Sequence, residues 1–148
     1  MSEKPIVLAS AEETGLISRT LLAWLNDYSD LPVRSINFEF LGEKSGLSLS
    51  AIQGAYKTAQ YIGGGYRAEY QFKLIYRLIA TTTDAKLKAD EFLDRLADWA
   101  VNRKDLPDIG ENRSVIKIKI DALSAMFANY EDGVEDHQVL MTLIYEVI

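Results

Sequence analysis

The sequence predicts an α+β fold in which a single mixed or mostly antiparallel β-sheet packs against two α-helices, within one domain covering residues 1–148. Three observations lead there. Residues 66–78 alternate, with Tyr66, Ala68, Tyr70, Phe72, Leu74, Tyr76 and Leu78 on one face and Arg67, Glu69, Gln71, Lys73 and Arg77 on the other. That period of two is the mark of a strand with one buried face. Two other stretches repeat their apolar residues at helical spacing. The remaining extended runs are grouped by turn signals and do not alternate with helices, which argues against βαβ winding.

Taken in order, Ser10-Ala11-Glu12-Glu13 fits a capping box, with the Ser10 hydroxyl and Glu13 carboxylate each answering the other's backbone N–H. The helix begun there carries Leu16, Ile17, Leu21, Trp24, Leu25 and Tyr28 as a core stripe and is expected to run to Ser29-Asp30 and Pro32. Residues 35–40 and 47–51 both alternate and flank the turn Gly42-Glu43-Lys44-Ser45-Gly46, which reads as a β-hairpin. From 52 to 65 the pattern lapses into a Tyr-rich stretch ending in Gly63-Gly64-Gly65, expected to be a flexible loop that neighbouring copies order. A P-loop is disfavoured because no Gly-Lys-Ser/Thr follows and a strand comes next. The strand at 66–78 would reach roughly 43 Å at ~3.3 Å per residue, far enough to project beyond its domain.

Thr81-Thr82-Thr83-Asp84 supplies cap residues for a second helix with Leu87, Phe92, Leu93, Leu96, Trp99 and Ala100 inward, ending near Asn102. Its stripe and that of the first helix are expected on the same face of the sheet, with Phe72 and Trp99 buried. Three strands are then expected. Ile116, Ile118 and Ile120 alternate with lysines and Asp121, residues 126–130 resume an extended pattern before Asp132-Gly133, and 138–148 is apolar on both faces, so it belongs in the sheet interior.

The chain has 16 basic and 22 acidic residues, a formal charge of −6, which argues against a surface adapted to hold phosphates. It has no cysteine, which excludes disulfides, thiolate nucleophiles and zinc–thiolate sites. Residues 1–10 lack the charged leader and apolar core of a signal peptide, and no stretch approaches the ~20 apolar residues of a membrane span, so a soluble protein made in the cytoplasm is expected.

No catalytic, cofactor-binding or metal-binding residues are assigned. His137, the one histidine, lies beside Asp136, but adjacent strand residues point to opposite faces, so it reads as a polar residue near a turn. The acidic run 131–136 lacks EF-hand spacing and reads as a solvated hairpin tip. On the second helix Asp90, Asp94 and Asp98 fall at four-residue spacings without a Glu-x-x-His element, the pattern of an exposed face eased by Lys86, Lys88 and Arg95. Eight tyrosines remain to be explained. Tyrosine favours interfaces, because its ring is rigid and apolar and its tip forms hydrogen bonds. The candidate subunit-interface residues are Tyr56, Tyr61, Tyr66, Arg67 and Tyr70.

Three segments, YIGGGYRAEYQFKLIYR at residues 61–77, KADEFLDRLADWA at 88–100 and FANYEDGVEDHQVLM at 127–141, resemble a family of small virion proteins. That family is encoded in the head-to-tail gene region of long-tailed bacteriophages of Gram-positive hosts and is often labelled minor capsid protein. The order of elements is also similar to that of phage tail terminators. The resemblance implies a structural protein at the head-proximal end of the tail, a homo-oligomeric ring, expected to be a hexamer, that caps the tail tube and docks to the head connector. It implies no catalytic set, no cofactor, and DNA only as cargo passing through the lumen. Carboxylates such as Glu43 and those of 131–136 would then line the bore and repel the DNA backbone. Two alternatives are a head-completion or stopper protein in the same machine, and a small α+β ligand-binding domain or enzyme, which a deep pocket with convergent polar groups would favour.

Overall fold

The structure, a computed structural model, describes residues 7–148, so the reading of the leader rests largely on residues outside those described. The elements run β1 (Val7–Leu8), α1 (Ala11–Leu25), β2 (Asn37–Phe38), β3 (Gly46–Ala51), β4 (Tyr56–Gln60), β5 (Tyr66–Ile79), α2 (Thr83–Asn102), β6 (Arg113–Asn129) and β7 (Val134–Val147). All seven strands join one sheet with the two helices packed against it, which is the α+β class expected.

β5 is the frame. Each of its residues from Tyr66 to Ile79 pairs with β7 along one edge, while β4 lies beside Tyr66–Glu69 and β3 beside Phe72–Arg77 along the other. It therefore does not project from the domain: β7 flanks its whole length. β7 pairs in turn with β6, which closes that margin of the sheet, and β1 and β2 are short strands at the opposite margin. β7 is buried on both sides of the pleat and paired along both edges, as its doubly apolar sequence requires.

Both helices cover one face. Tyr70 of β5 meets Ser18 of α1 (hydroxyl to hydroxyl, 2.8 Å), and Tyr76 of the same face packs edge-on to Phe92 of α2 at 5.4 Å between centroids. Between the helices Trp24, Tyr28 and Trp99 stack at 5.2–5.4 Å, with the Arg103 guanidinium 4.7–4.8 Å from both indoles. Phe72 is fully buried, whereas Trp99 is only half-buried, with the Arg103 guanidinium over its indole. Leu87, expected inward, is exposed.

Several local expectations are corrected. α1 stops at Leu25, short of Ser29, because the Asn26 side chain takes over: Nδ2 donates to the carbonyls of Leu22 and Ile36, and Oδ1 accepts from the Ile36 N–H. The expected hairpin at 35–51 is instead a parallel pair, Asn37 with Ser48 and Phe38 with Leu49. Leu47 and Leu49 find their antiparallel partners in Tyr76 and Leu74 of β5, and Glu39, left-handed at φ 54°, turns the chain aside and clamps Ser50 Oγ and the Ala51 N–H with its carboxylate. The stretch 52–65 is not a free loop. It contains β4, paired to both β1 and β5, and closes on β5 with a tight turn in which Gly63 and Gly64 adopt φ of 107° and 105°. Those angles strain any residue with a Cβ, so the glycines serve the turn and not a hinge. Finally, 113–129 is one strand and not two: shifts in its pairing with β7 break the sequence alternation without ending the strand.

Candidate subunit interfaces and buried polar clusters

Two polar clusters lie between the sheet and the helices. In the first, Glu13, at the first turn of α1, is only 4% exposed. Ser10 does cap the helix, its Oγ accepting from the Glu13 N–H at 3.1 Å, but the Glu13 carboxylate turns inward instead of completing a capping box. It accepts from the hydroxyls of Tyr66 (2.5 Å) and Tyr145 (2.7 Å) and from Arg113 Nε (3.2 Å). One carboxylate thereby joins α1 to β5, β7 and β6. Burial pushes its pKa up, but the hydrogen bonds from both tyrosines and Arg113 and the Arg113 charge together outweigh it, so the carboxyl titrates below the usual range. Burial and the same carboxylate push Tyr66 up to about 12 and Tyr145 further in the same direction.

The second cluster corrects the reading of His137, which is 1% exposed and buried within the fold instead of solvated beside the turn. Its Nδ1 faces Asp90 of α2 at 2.7 Å and its Nε2 faces Glu135 at 2.8 Å. Glu135 also takes Lys86, while Asp90 and Asp94 accept from the Oγ and N–H of Ser124 on β6. Desolvation raises the Glu135 pKa, and the bonds and charges of Lys86 and His137 bring it below the usual value. The acidic stripe of α2 is thus partly a docking face for β6 and β7. Asp136, as the alternation required, points the other way. There it holds Arg77 in a two-bonded pair at 2.7 and 2.8 Å and accepts from Tyr130 at 3.0 Å. Glu135 and Asp136 are therefore consumed by ion pairs inside the fold and cannot line a bore. Only Glu131 and Asp132, on the single 3-10 turn Glu131–Gly133, are the solvated tip.

The five tyrosine and arginine candidates separate. Tyr70 is fully buried, bonded to Ser18, and belongs to the core, so it offers no surface to another copy. Tyr66 is half-buried with its hydroxyl committed to Glu13 and its ring under Lys57. Tyr56 and Arg67 are half-buried on β4 and β5. Tyr61 is exposed, with its hydroxyl 3.3 Å from Glu146, beside the fully exposed Ile62 at the tip of the β4–β5 turn. Tyr61 and its neighbours remain available at the surface.

The more prominent open surfaces lie at the two margins of the sheet. β6 has a strand partner on one edge only among the described residues, and it exposes Ile116, Leu123, Met126 and Phe127, with Leu123 67% exposed. At the other margin β1, α1 and β2 border an apolar groove of about 580 Å³ whose walls include Leu8, Gly15, Arg19, Leu22, Phe38 and Gly54. No group of three or more His, Cys, Asp or Glu side chains among the described residues is placed to hold a metal ion. No helix among them is long and apolar enough to cross a membrane. Comparison with protein families and with curated proteins finds no match for this chain, so the resemblance of its three segments rests on those residues alone.

Proposed function

We propose that the protein is a structural component of a bacteriophage virion, a tail terminator that assembles into a ring, caps the tail tube and joins it to the head connector. The observation that carries this reading is β6. A 17-residue strand at the margin of a sheet, with one edge unpaired among the described residues and four large apolar side chains exposed, is a surface suited to another protein. The resemblance of residues 61–77, 88–100 and 127–141 to head-to-tail joining proteins supplies the identity of the assembly. In such a ring DNA passes as cargo, and of the carboxylates expected at the bore the exposed Glu43, Glu131 and Asp132 are those not held in ion pairs among the described residues.

Light scattering and negative-stain imaging of the purified protein test the proposal. The expected result is a closed ring near 100 kDa, six chains of 16.6 kDa. A particle that stays monomeric at about 100 μM, where contacts of ordinary strength are populated, would end it.

A further inference from the structure

Two apolar surfaces among the described residues occupy opposite margins of one sheet, and they differ in shape and charge. The margin at β1 and β2 is concave. Its groove carries one charged side chain, Arg19, whose Nη1 lies 3.6 Å from the position a Cβ on Gly15 would take and which makes no ion pair among the described residues. The margin at β6 is a ridge. Toward its end it exposes Met126 and Phe127, the latter with Lys73 Nζ 5.9 Å from its ring, followed on the turn by Glu131 and Asp132, two exposed carboxylates also without ion-pair partners among the described residues.

A concave apolar surface with a spare cation and an apolar ridge with a spare anion, on opposite margins of the same chain, fit a second copy of that chain. We infer that the end of the β6–β7 hairpin of one copy, with Met126 and Phe127 leading, seats in the α1 groove of the next, where Glu131 meets Arg19. This contact rests on the ring reading and deepens it by naming both halves of the interface. It is heterologous, one patch against a different patch, which is the type of contact that closes a ring when the rotation per copy allows it; a self-complementary β6–β6 contact would stop at a dimer and leave every groove empty. The groove volume lies within the ~300–1,000 Å³ typical of binding pockets. A stable interface buries roughly 800 Å² per partner, so the contact extends beyond the two leading side chains along β6 to Leu123.

The absence of natural cysteine makes the test direct. Leu8→Cys places a thiol on the groove and Met126→Cys one on the ridge, both at exposed positions, and circular dichroism melting verifies that each variant folds. Under mild oxidation the double variant is expected to give a ladder of cross-linked multimers ending at the ring number, a mixture of the two single variants to give dimers only, and each single variant alone to give none. Arg19→Glu is expected to weaken assembly at least about tenfold, as like charges then face each other, and Glu131→Arg in the same chain to restore it. Met126→Cys linking to itself, or intact rings with no cross-link and no response to charge reversal, overturns the inference while leaving the ring in place. A wild-type protein that remains monomeric in the parallel light-scattering run overturns the ring as well.

Discussion

β6 and β7 lie side by side, 17 and 14 residues long, and both are rich in aliphatic side chains, yet they have opposite fates. β7 has a long strand on each edge. Val139, Met141, Leu143 and Tyr145 are fully inaccessible on its helix-facing side, and even Thr142 and Ile144 on the other side are nearly so. β6 has one partner, repeated register shifts, and exposed apolar groups along its outer half. Shifts of this kind twist an edge and limit indiscriminate pairing, and Lys117 and Lys119 charge its first half. The second half, from Leu123 onward, has neither lysine nor proline to guard it. Apolar residues therefore stabilise the fold in β7 and, through Ile118, in the first half of β6, whereas from Leu123 onward they are available for a partner. Alternation alone does not distinguish the two.

Substitutions can sharpen that contrast. The largest effect is expected at the Glu13 hub, which ties β7 and the start of β6 to α1. Glu13→Ala leaves two tyrosine hydroxyls and Arg113 without their acceptor and is expected to cost about 3–5 kcal/mol in urea unfolding. A loss under about 1 kcal/mol would mean that water replaces the carboxylate freely. Within β7, Leu143→Ala should cost about 2–5 kcal/mol as a cavity in a fully buried site. Leu123→Ala on β6 should stay within about 0.5 kcal/mol in the dissociated subunit and should instead weaken assembly. Equal stability losses at the two leucines would erase the distinction.

Titration separates the same regions. The carboxyl groups of Glu13 and Glu135 have pKa values below the usual range, so the stability they give is complete above about pH 4.3, where the unfolded chain is already ionised, and is lost as pH falls through their folded values. Tyr66 moves the other way. Its folded pKa of about 12 stabilises the protein below the unfolded value near pH 10 and is withdrawn as pH rises from ~10 to ~12. Unfolding midpoints measured across pH should therefore fall off at both extremes. In Glu13→Gln the acid limb should shrink, and an unchanged acid limb would place the lability elsewhere.

An intermediate effect is expected at Trp99. Half-buried and covered by Arg103, it should cost about 1–3 kcal/mol on truncation to alanine, less than the 3–5 typical of a buried tryptophan.

The sequence made the central elements legible because their signals are local. Tyr66 to Leu78 alternates without interruption on its inner face, Ser10 and Thr82 cap their helices as expected, and the doubly apolar 138–148 does lie between two strands. What stayed hidden depends on distance or irregularity. The partners of Glu13 lie 53, 100 and 132 residues away, beyond any spacing rule. A bulge between Lys57 and Ala59 breaks the alternation that would reveal β4, and the register shifts of β6 make one strand read as two. For His137 the clue in the sequence is Glu135, two residues earlier and on the same face of the strand, whereas the adjacent Asp136 points to the other face.

The central claim, that β6 is an edge held open for a partner while β7 belongs to the fold alone, is tested most directly by amide hydrogen exchange on dilute subunits and on assembled protein. The account predicts that β7 amides exchange slowly in both samples, and that those β6 amides between Leu123 and Asn129 that bond neither β7 nor Asp94 exchange quickly in the dilute subunit and at least about tenfold more slowly on assembly. Equal exchange across β6 in the two samples would contradict it.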